Sequence, residues 1–314
     1  MATYDPILLK ISEAATLTGL TEPTIRNYVQ DGKLQSYEKS TGKNENVLHV
    51  EKVELLRTQS TIMVVFNQKG GVSKTTTAVL LGDYYEKQGR KVLLADFDQQ
   101  GNLSQTYFES TDIKSGLTLF DFFAGHAPLK KIVRKASENI DVLPSNIKLA
   151  SLEKMADMQM VTKFDKEFTK FCENYEVIII DCPPALNAFS TFAVVIAHYI
   201  ILPLNDDPYC YLGLADAVET INTHKRFNPN FKDFFAFSSK FFKNKSQLRS
   251  ETIQQYSTDL GTHYLVGHTL PNYIGFAERP RHMRNILDVY PNEPAVKEMT
   301  ELFDELDKRM YYNR

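Results

Sequence analysis

The chain has no long hydrophobic run: among its 314 residues no stretch approaches ~18 consecutive apolar positions, so no segment is expected to cross a membrane as a helix. Its opening residues, Met1-Ala2-Thr3-Tyr4-Asp5, lack the basic segment and apolar run of an export signal. Cysteine is scarce. Cys172, Cys182 and Cys210 are the full complement of three, and no two have a metal-ligand spacing. An odd count of ordinary thiols fits a reducing cytoplasm. Charge of one sign is also short, with 36 Lys and Arg against 39 Asp and Glu for a net −3. Any attraction to nucleic acid must therefore come from local basic patches. No internal repeat and no low-complexity segment is visible.

What is present is enough for a sizeable core: 43% of residues are apolar and 24% charged, and the length suits about two domains. Residues 1–57 read as one compact unit and 58–61 (Thr-Gln-Ser-Thr) as a polar linker. Residues 62–314 alternate apolar runs with helical or polar stretches. The runs at 62–66, 92–95, 140–143, 177–180 and 199–204 lack polar alternation, as do strands buried on both faces. They predict an α/β domain with a mostly parallel sheet and helices on both faces. Residues 234–237 and 264–270 are weaker strand candidates.

The strongest local signal is Lys69-Gly70-Gly71-Val72-Ser73-Lys74-Thr75-Thr76. An apolar strand leads in, and an amphipathic stretch from Thr75 to Gln88 leads out, with Gly89 as its stop. Glycines let backbone pass close to phosphate oxygens, and N–H groups at a helix start supply positive potential. Lys74 is placed to reach β- and γ-phosphates and the Thr75 hydroxyl to hold Mg²⁺. Two departures from the common phosphate-loop pattern stand out. Lysine fills its first position (Lys69), and Ser73 replaces the glycine before the main lysine, which matters only if that position needs a positive φ.

Two further segments end in acids. Val92-Leu93-Leu94-Ala95-Asp96-Phe97-Asp98-Gln99-Gln100-Gly101-Asn102 puts two carboxylates after a buried strand, at the sheet edge where open α/β folds bind ligands. Val177-Ile178-Ile179-Ile180-Asp181-Cys182-Pro183-Pro184 ends a second buried strand in an aspartate suited to the water shell of Mg²⁺.

With the loop K-G-G-x-x-K-[ST], this ordered trio resembles the ParA/MinD family of P-loop ATPases with a deviant Walker A motif. The likeness spans about residues 60–295, is specific in the first half and loose in the last third. Gln99 stands where the family has proline, and Asn272 and Gly275 where it has basic residues. The resemblance implies ATP and Mg²⁺ as cofactors, with the nucleotide on 69–76. It assigns Asp98 to the attacking water, Asp96 to the Mg²⁺ neighbourhood, and Pro271 and Asn272 to the border of the adenine. It implies that Lys69 crosses a two-fold interface to the partner's nucleotide, so ATP binding and dimerisation are coupled, and that Lys69, Lys74 and Asp98 serve catalysis. DNA, a ParB-like centromere-binding protein and a cytoplasmic, nucleoid-associated location belong to the same implication.

The N-terminal unit reads as a helix from Ile11 with Ser12 as cap, a Gly19-Leu20 turn, and a second helix with Thr21 as cap and Pro23 in its first turn. Thr24-Ile25-Arg26-Asn27-Tyr28, with Gly32 and Leu34 following, resembles the recognition helix of MerR-type winged helix-turn-helix domains. Ile25 and Val29 are expected inside, and Arg26, Asn27 and Gln30 at base edges. Lys39 and Lys43 around Thr41-Gly42 form a basic wing tip, and residues 50–57 a closing helix. In the ATPase domain two basic clusters, Lys240, Lys243, Lys245 and Arg249, then Arg279, Arg281 and Arg284, are candidates for sequence-independent DNA contact.

Three functions compete at this point. One is a DNA-partition ATPase that dimerises on ATP and represses its own operon. The second is an ATP-responsive transcription regulator without segregation activity. The third is a MinD-like membrane-positioning ATPase. The apolar stripe Val296, Met299, Leu302, Leu306 and Met310 bears on the third. It is flanked by Glu298, Glu301, Asp304, Glu305 and Asp307, which anionic lipid would repel, so docking on the protein's own core is expected.

Overall fold

The computed structural model describes residues 8–18, 21–30, 34, 36–38, 46–49, 60–153, 158–205, 210–241, 258, 260, 263–276 and 284–312. The chain opens with β1 (Leu8–Lys10), α1 (Ile11–Thr18), α2 (Glu22–Gln30), β2 (Ser36–Glu38) and β3 (Asn46–His49). The strands pair antiparallel in the order β1-β3-β2, with Glu38 opposite Asn46, which is a wing-like hairpin. Ile11, Ala14, Ile25, Tyr28 and Leu34 form its core, and Val29 packs against it half-buried. The Thr21 hydroxyl accepts from the Thr24 amide, so Thr21 caps α2 as the pattern predicts. Ser12, by contrast, lies inside the first turn of α1 rather than at its cap. The wing tip (Lys39, Lys43) and the expected closing helix at 50–57 lie outside the described residues.

The second unit alternates strand and helix. It contains β4 (Thr61–Val65), α3 (Lys74–Lys87), β5 (Val92–Asp96), α4 (Asn102–Tyr107), β6 (Arg134–Lys135), β7 (Ile140–Leu143), α5 (Met158–Cys172), β8 (Val177–Asp181), α6 (Ala188–Ile196), β9 (Tyr199–Leu204), α7 (Cys210–His224), β10 (Asp233–Phe241), β11 (Leu265–Pro271) and α8 (Pro294–Tyr312). Eight strands lie in the order β11-β10-β9-β4-β8-β5-β7-β6. All pairs are parallel except β6 with β7. The parallel sheet with helices on both faces follows the reading of the apolar runs. The strand before the phosphate loop is 61–65 rather than 62–66, so Thr61 belongs to the sheet and not to the linker. Ser60 is pinned too, its hydroxyl donating to the carbonyls of Cys172 and Tyr175.

Period-2 geometry explains the missing polar alternation. On β4, Ile62 and Val64 enter one core with Phe97, Phe168 and Phe192, while Met63 and Val65 enter the other with Leu80, Tyr85 and Phe303. Helix α8 covers the second face: Val296, Met299, Leu302, Leu306 and Met310 are all buried, as the acidic flank of that stripe predicts. Tyr84 donates to Asp304 and Tyr199 to the Met310 carbonyl, and Arg90 is held by Glu176 and Asp307. Among the described residues no helix is long and apolar enough to cross a membrane.

Phe303 is fully buried and packs edge-on to Tyr84. Phe303→Ala should cost about 3–5 kcal/mol in urea unfolding. A loss under about 1 kcal/mol would show that α8 is not part of this core.

Candidate functional site

The sheet's carboxyl edge gathers three segments that are distant in sequence. The first is the turn between β4 and α3. The Asn67 amide donates to the Pro203 carbonyl at 3.0 Å, and its side-chain oxygen accepts from the Lys69 amide at 2.9 Å. Gln68 is held by Thr220, and the Val72 carbonyl accepts from Ser239 on β10. Ser73 then adopts φ 71° and is the sole non-glycine among the described residues with positive φ. The position before Lys74 therefore does need the left-handed conformation, and serine holds it at a cost of about 1 kcal/mol. Helix α3 starts directly after it at Lys74.

Gly71 is also left-handed, at φ 77°, but Gly70 is not. A Cβ at Gly70 would meet nothing within 4 Å. Neither backbone conformation nor a neighbour in this chain calls for glycine there. The exposed backbone there is open to a group from outside the chain, and the positive end of α3 suits phosphate. Lys74 is mostly buried and its ammonium donates to the Lys69 carbonyl across the loop at 2.7 Å. Lys69, Thr75 and Thr76 are half-buried.

The second segment follows β5. Asp98 accepts from the Gln100 amide, and the turn closes from the Gly101 amide to the Asp98 carbonyl. Gly101 is required twice over, by φ 67° and by the Ser145 carbonyl 2.9 Å from where its Cβ would stand. Asp96, fully buried, accepts from the Ser104 amide and hydroxyl and from the Asp98 amide. Its oxygens thus tie α4 to the end of β5, and burial pushes its carboxyl up to about 7 against those same hydrogen bonds.

The third segment is the end of β8. Asp181 pairs in register with Asp96 on one side and Val65 on the other. It is fully buried, and neither oxygen meets a donor at hydrogen-bonding geometry. Burial, then the adjacent Asp96, hold its carboxyl well above the usual range, while the Thr75 hydroxyl and Lys74 ammonium pull it back. A buried carboxylate with two orphaned oxygens beside a threonine hydroxyl is an all-oxygen donor set that suits Mg²⁺. Among the described residues no three His, Cys, Asp or Glu side chains form a complete protein cage.

The other expected site residues separate clearly. Pro271 closes β11 at the same sheet edge, with β9 and β10 between it and the loop strand, and Asn272 follows exposed. Arg26 and Gln30 are exposed on α2, Arg26 paired with Glu22. Asn27 instead donates to the Gln88 carbonyl of the second unit at 3.0 Å. Arg284 is exposed, whereas Lys243, Lys245, Arg249, Arg279 and Arg281 lie outside the described residues, as does the side chain of Lys240. Asn67, Ser104, Ser145 and Ser239 shape the site without having been singled out. For Asn67 the available signal was a polar side chain directly after a fully buried strand.

Comparisons with known proteins bear on the family and the fold. A family model described as "AAA domain" matches residues 60–233. The chromosome-partitioning ATPase Soj of Treponema pallidum (strain Nichols) is 30% identical over 230 residues, 70% of this chain and 86% of that protein. A putative plasmid partition protein from Borrelia burgdorferi B31, solved with AMPPNP, superposes with a TM-score of 0.68 at 19% identity, over 80% of this chain and all of that one. Cobyrinic acid a,c-diamide synthase from Mycobacterium smegmatis, solved with an ATP analogue and magnesium, gives 0.68 at 24%, over 82% of this chain and 98% of that one. At such identities the two structures show the fold.

Two outcomes follow from the geometry. Ser73→Gly should raise stability by up to about 1 kcal/mol, whereas Ser73→Val should lower it, because a β-branched residue is costlier at positive φ. Equal melting temperatures for all three proteins would contradict the strained turn. For pH, the folded value of Asp96 lies above the ordinary 3.8, so between 3.8 and about 7 the folded nucleotide-free protein keeps a proton that the unfolded chain has lost. The stability due to this group is present below that window and is lost as pH rises through it. Urea titrations should show this fall, and Asp96→Asn should reduce it to the part due to Asp181, whose raised carboxyl acts in the same sense.

Proposed function

The chain belongs to the AAA-domain family, in the line of the Soj and ParA partition ATPases, and on that premise we propose that it hydrolyses Mg²⁺-ATP to segregate DNA. The observation that carries the reading is the meeting, at one sheet edge, of the left-handed loop start at Ser73, the orphaned Asp181 carboxylate and Asp98. Amides of residues 70–75 and the Lys74 ammonium bind the phosphates. Asp181 and the Thr75 hydroxyl hold the metal, with Asp96 behind them fixing α4 and the Asp98 turn. Bound Mg²⁺ supplies charge neutralisation to the phosphate oxygens. Asp98 orients the attacking water, and Pro271 with Asn272 borders the base.

Lys69 sits on the outer turn of the loop and reaches a second copy, so that two nucleotides join a homodimer. A cation delivered across an interface to phosphoryl charge acts as an arginine finger does. In this reading the cytoplasmic protein binds nucleoid DNA through the basic clusters around Lys243, Lys245, Arg279, Arg281 and Arg284, and a ParB-like partner stimulates turnover. The N-terminal winged domain favours a second activity, repression of the protein's own operon, with Arg26, Asn27, Gln30, Lys39 and Lys43 at DNA. A MinD-like membrane role has less support, because the apolar stripe of α8 is spent on the core.

Lys74→Ala should lower ATP affinity by roughly 10- to 100-fold in calorimetry. Asp98→Ala should retain binding but lose about 10²- to 10⁴-fold in turnover. Unchanged affinity in the first variant sinks the site assignment. With a non-hydrolysable analogue, sedimentation should show a dimer that Lys69→Ala weakens. A Lys69→Ala protein that dimerises and hydrolyses normally removes that residue from the mechanism.

A further inference from the structure

The phosphate-loop helix α3 has a second functional end. It runs from Lys74 at the loop to Lys87, and Gly89 at φ 76° turns the chain away. This end accepts three side chains from α2. The Thr21 and Thr24 hydroxyls donate to the Gly89 carbonyl at 2.6 and 2.9 Å, and the Asn27 amide donates to the Gln88 carbonyl at 3.0 Å. Thr21, Thr24 and Asn27 recur every third residue and so form one stripe of α2. Thr24 is buried to 1% exposure, and a Cβ at Gly89 would stand 3.0 Å from the Pro23 side chain. The fit is therefore close as well as polar.

The stripe borders the face meant for DNA. Asn27 and Gln30 are neighbours at i,i+3, and Arg26 and Gln30 at i,i+4, so the three candidate base-reading residues share one broad face. Asn27 is the member already occupied. A helix with its side chains is about 10–12 Å across and the major groove about 12 Å wide, so groove walls close on both flanks of an inserted helix. A protein body along the Asn27 flank leaves no room for one wall.

We propose that the C-terminal end of α3 is a docking site for α2, exclusive with DNA, so that residues 1–57 are held off their operator until α2 leaves it. This rests on reading residues 1–57 as a DNA-binding domain. Because α3 also begins at the phosphate loop, one rigid helix carries both the nucleotide site and the seat.

Gly89→Asn tests the proposal without touching the N-terminal domain. Asparagine tolerates the left-handed conformation and is accepted after a helix end, while its side chain displaces Pro23. The probe is a labelled duplex enriched from a random-sequence pool by the full-length Gly89→Asn protein, read by anisotropy against a scrambled duplex. Gly89→Asn should bind the enriched duplex about tenfold more tightly than the parent, and Thr24→Val, which removes one donor at constant size, should shift affinity the same way. Asn27→Ala added to Gly89→Asn should abolish the preference over the scrambled duplex. Equal affinity of parent and Gly89→Asn overturns the docking proposal and leaves the DNA-binding reading standing. If no protein enriches any duplex, that reading fails and the proposal with it. Should Gly89→Asn not fold, Thr24→Val serves both to enrich the duplex and to decide between the same outcomes.

Discussion

A carboxylate that is fully buried, without a hydrogen bond of good geometry and side by side with a second buried carboxylate is the constraint around which this protein is arranged. Asp181 and Asp96 end adjacent parallel strands in register. Asp96 is compensated by the Ser104 hydroxyl and amide and the Asp98 amide, whereas both Asp181 oxygens are left over. Burial of an uncompensated charge opposes folding, and its pKa rises until a proton or a cation settles there. The Thr75 hydroxyl and Lys74 ammonium are the groups that pull it back, and both belong to the phosphate loop. The fold thus holds an electrostatic debt that a Mg²⁺-phosphate group is suited to discharge.

Everything else at the edge positions that exchange. The left-handed turn at Ser73 brings α3 in with its amides toward the loop. Gly101 lets the Asp98 turn pass the Ser145 carbonyl, and Ser104 links that turn to the strand end. The helix that starts here continues to the seat of α2, which puts the contact with the candidate operator-binding helix on the same element as the phosphate loop.

Much of this was legible in the sequence because burial on both faces leaves a plain signature. Apolar runs marked five strands, four of them unbroken and one interrupted by Asp141, and acids directly after two of them marked the edge. The two-residue β6 was invisible, since an antiparallel edge strand of Arg134 and Lys135 has no pattern to read. Ser104 and Ser239 were equally hidden: a serine whose hydroxyl joins two distant segments is indistinguishable in sequence from one on the surface. The cap of α1 was misplaced because Ser12 carries the cap-forming chemistry, yet β1 runs straight into the helix at Ile11. Asn27 was read as a DNA contact from its place on a recognition-type helix. Its bond to Gln88 joins residues 61 apart in sequence, which no local pattern encodes.

The central claim is that Asp181 is a metal ligand whose burial is tolerated for the sake of Mg²⁺-nucleotide. Thermal unfolding of the parent and of Asp181→Asn, each with and without Mg²⁺ and a non-hydrolysable ATP analogue, tests it most directly. The account predicts opposite signs: without ligand Asp181→Asn melts higher than the parent, because a buried charge is gone, and with ligand it loses most of the stabilisation that Mg²⁺-nucleotide gives the parent. An Asp181→Asn protein that melts lower without ligand and keeps the full Mg²⁺-nucleotide shift would contradict it.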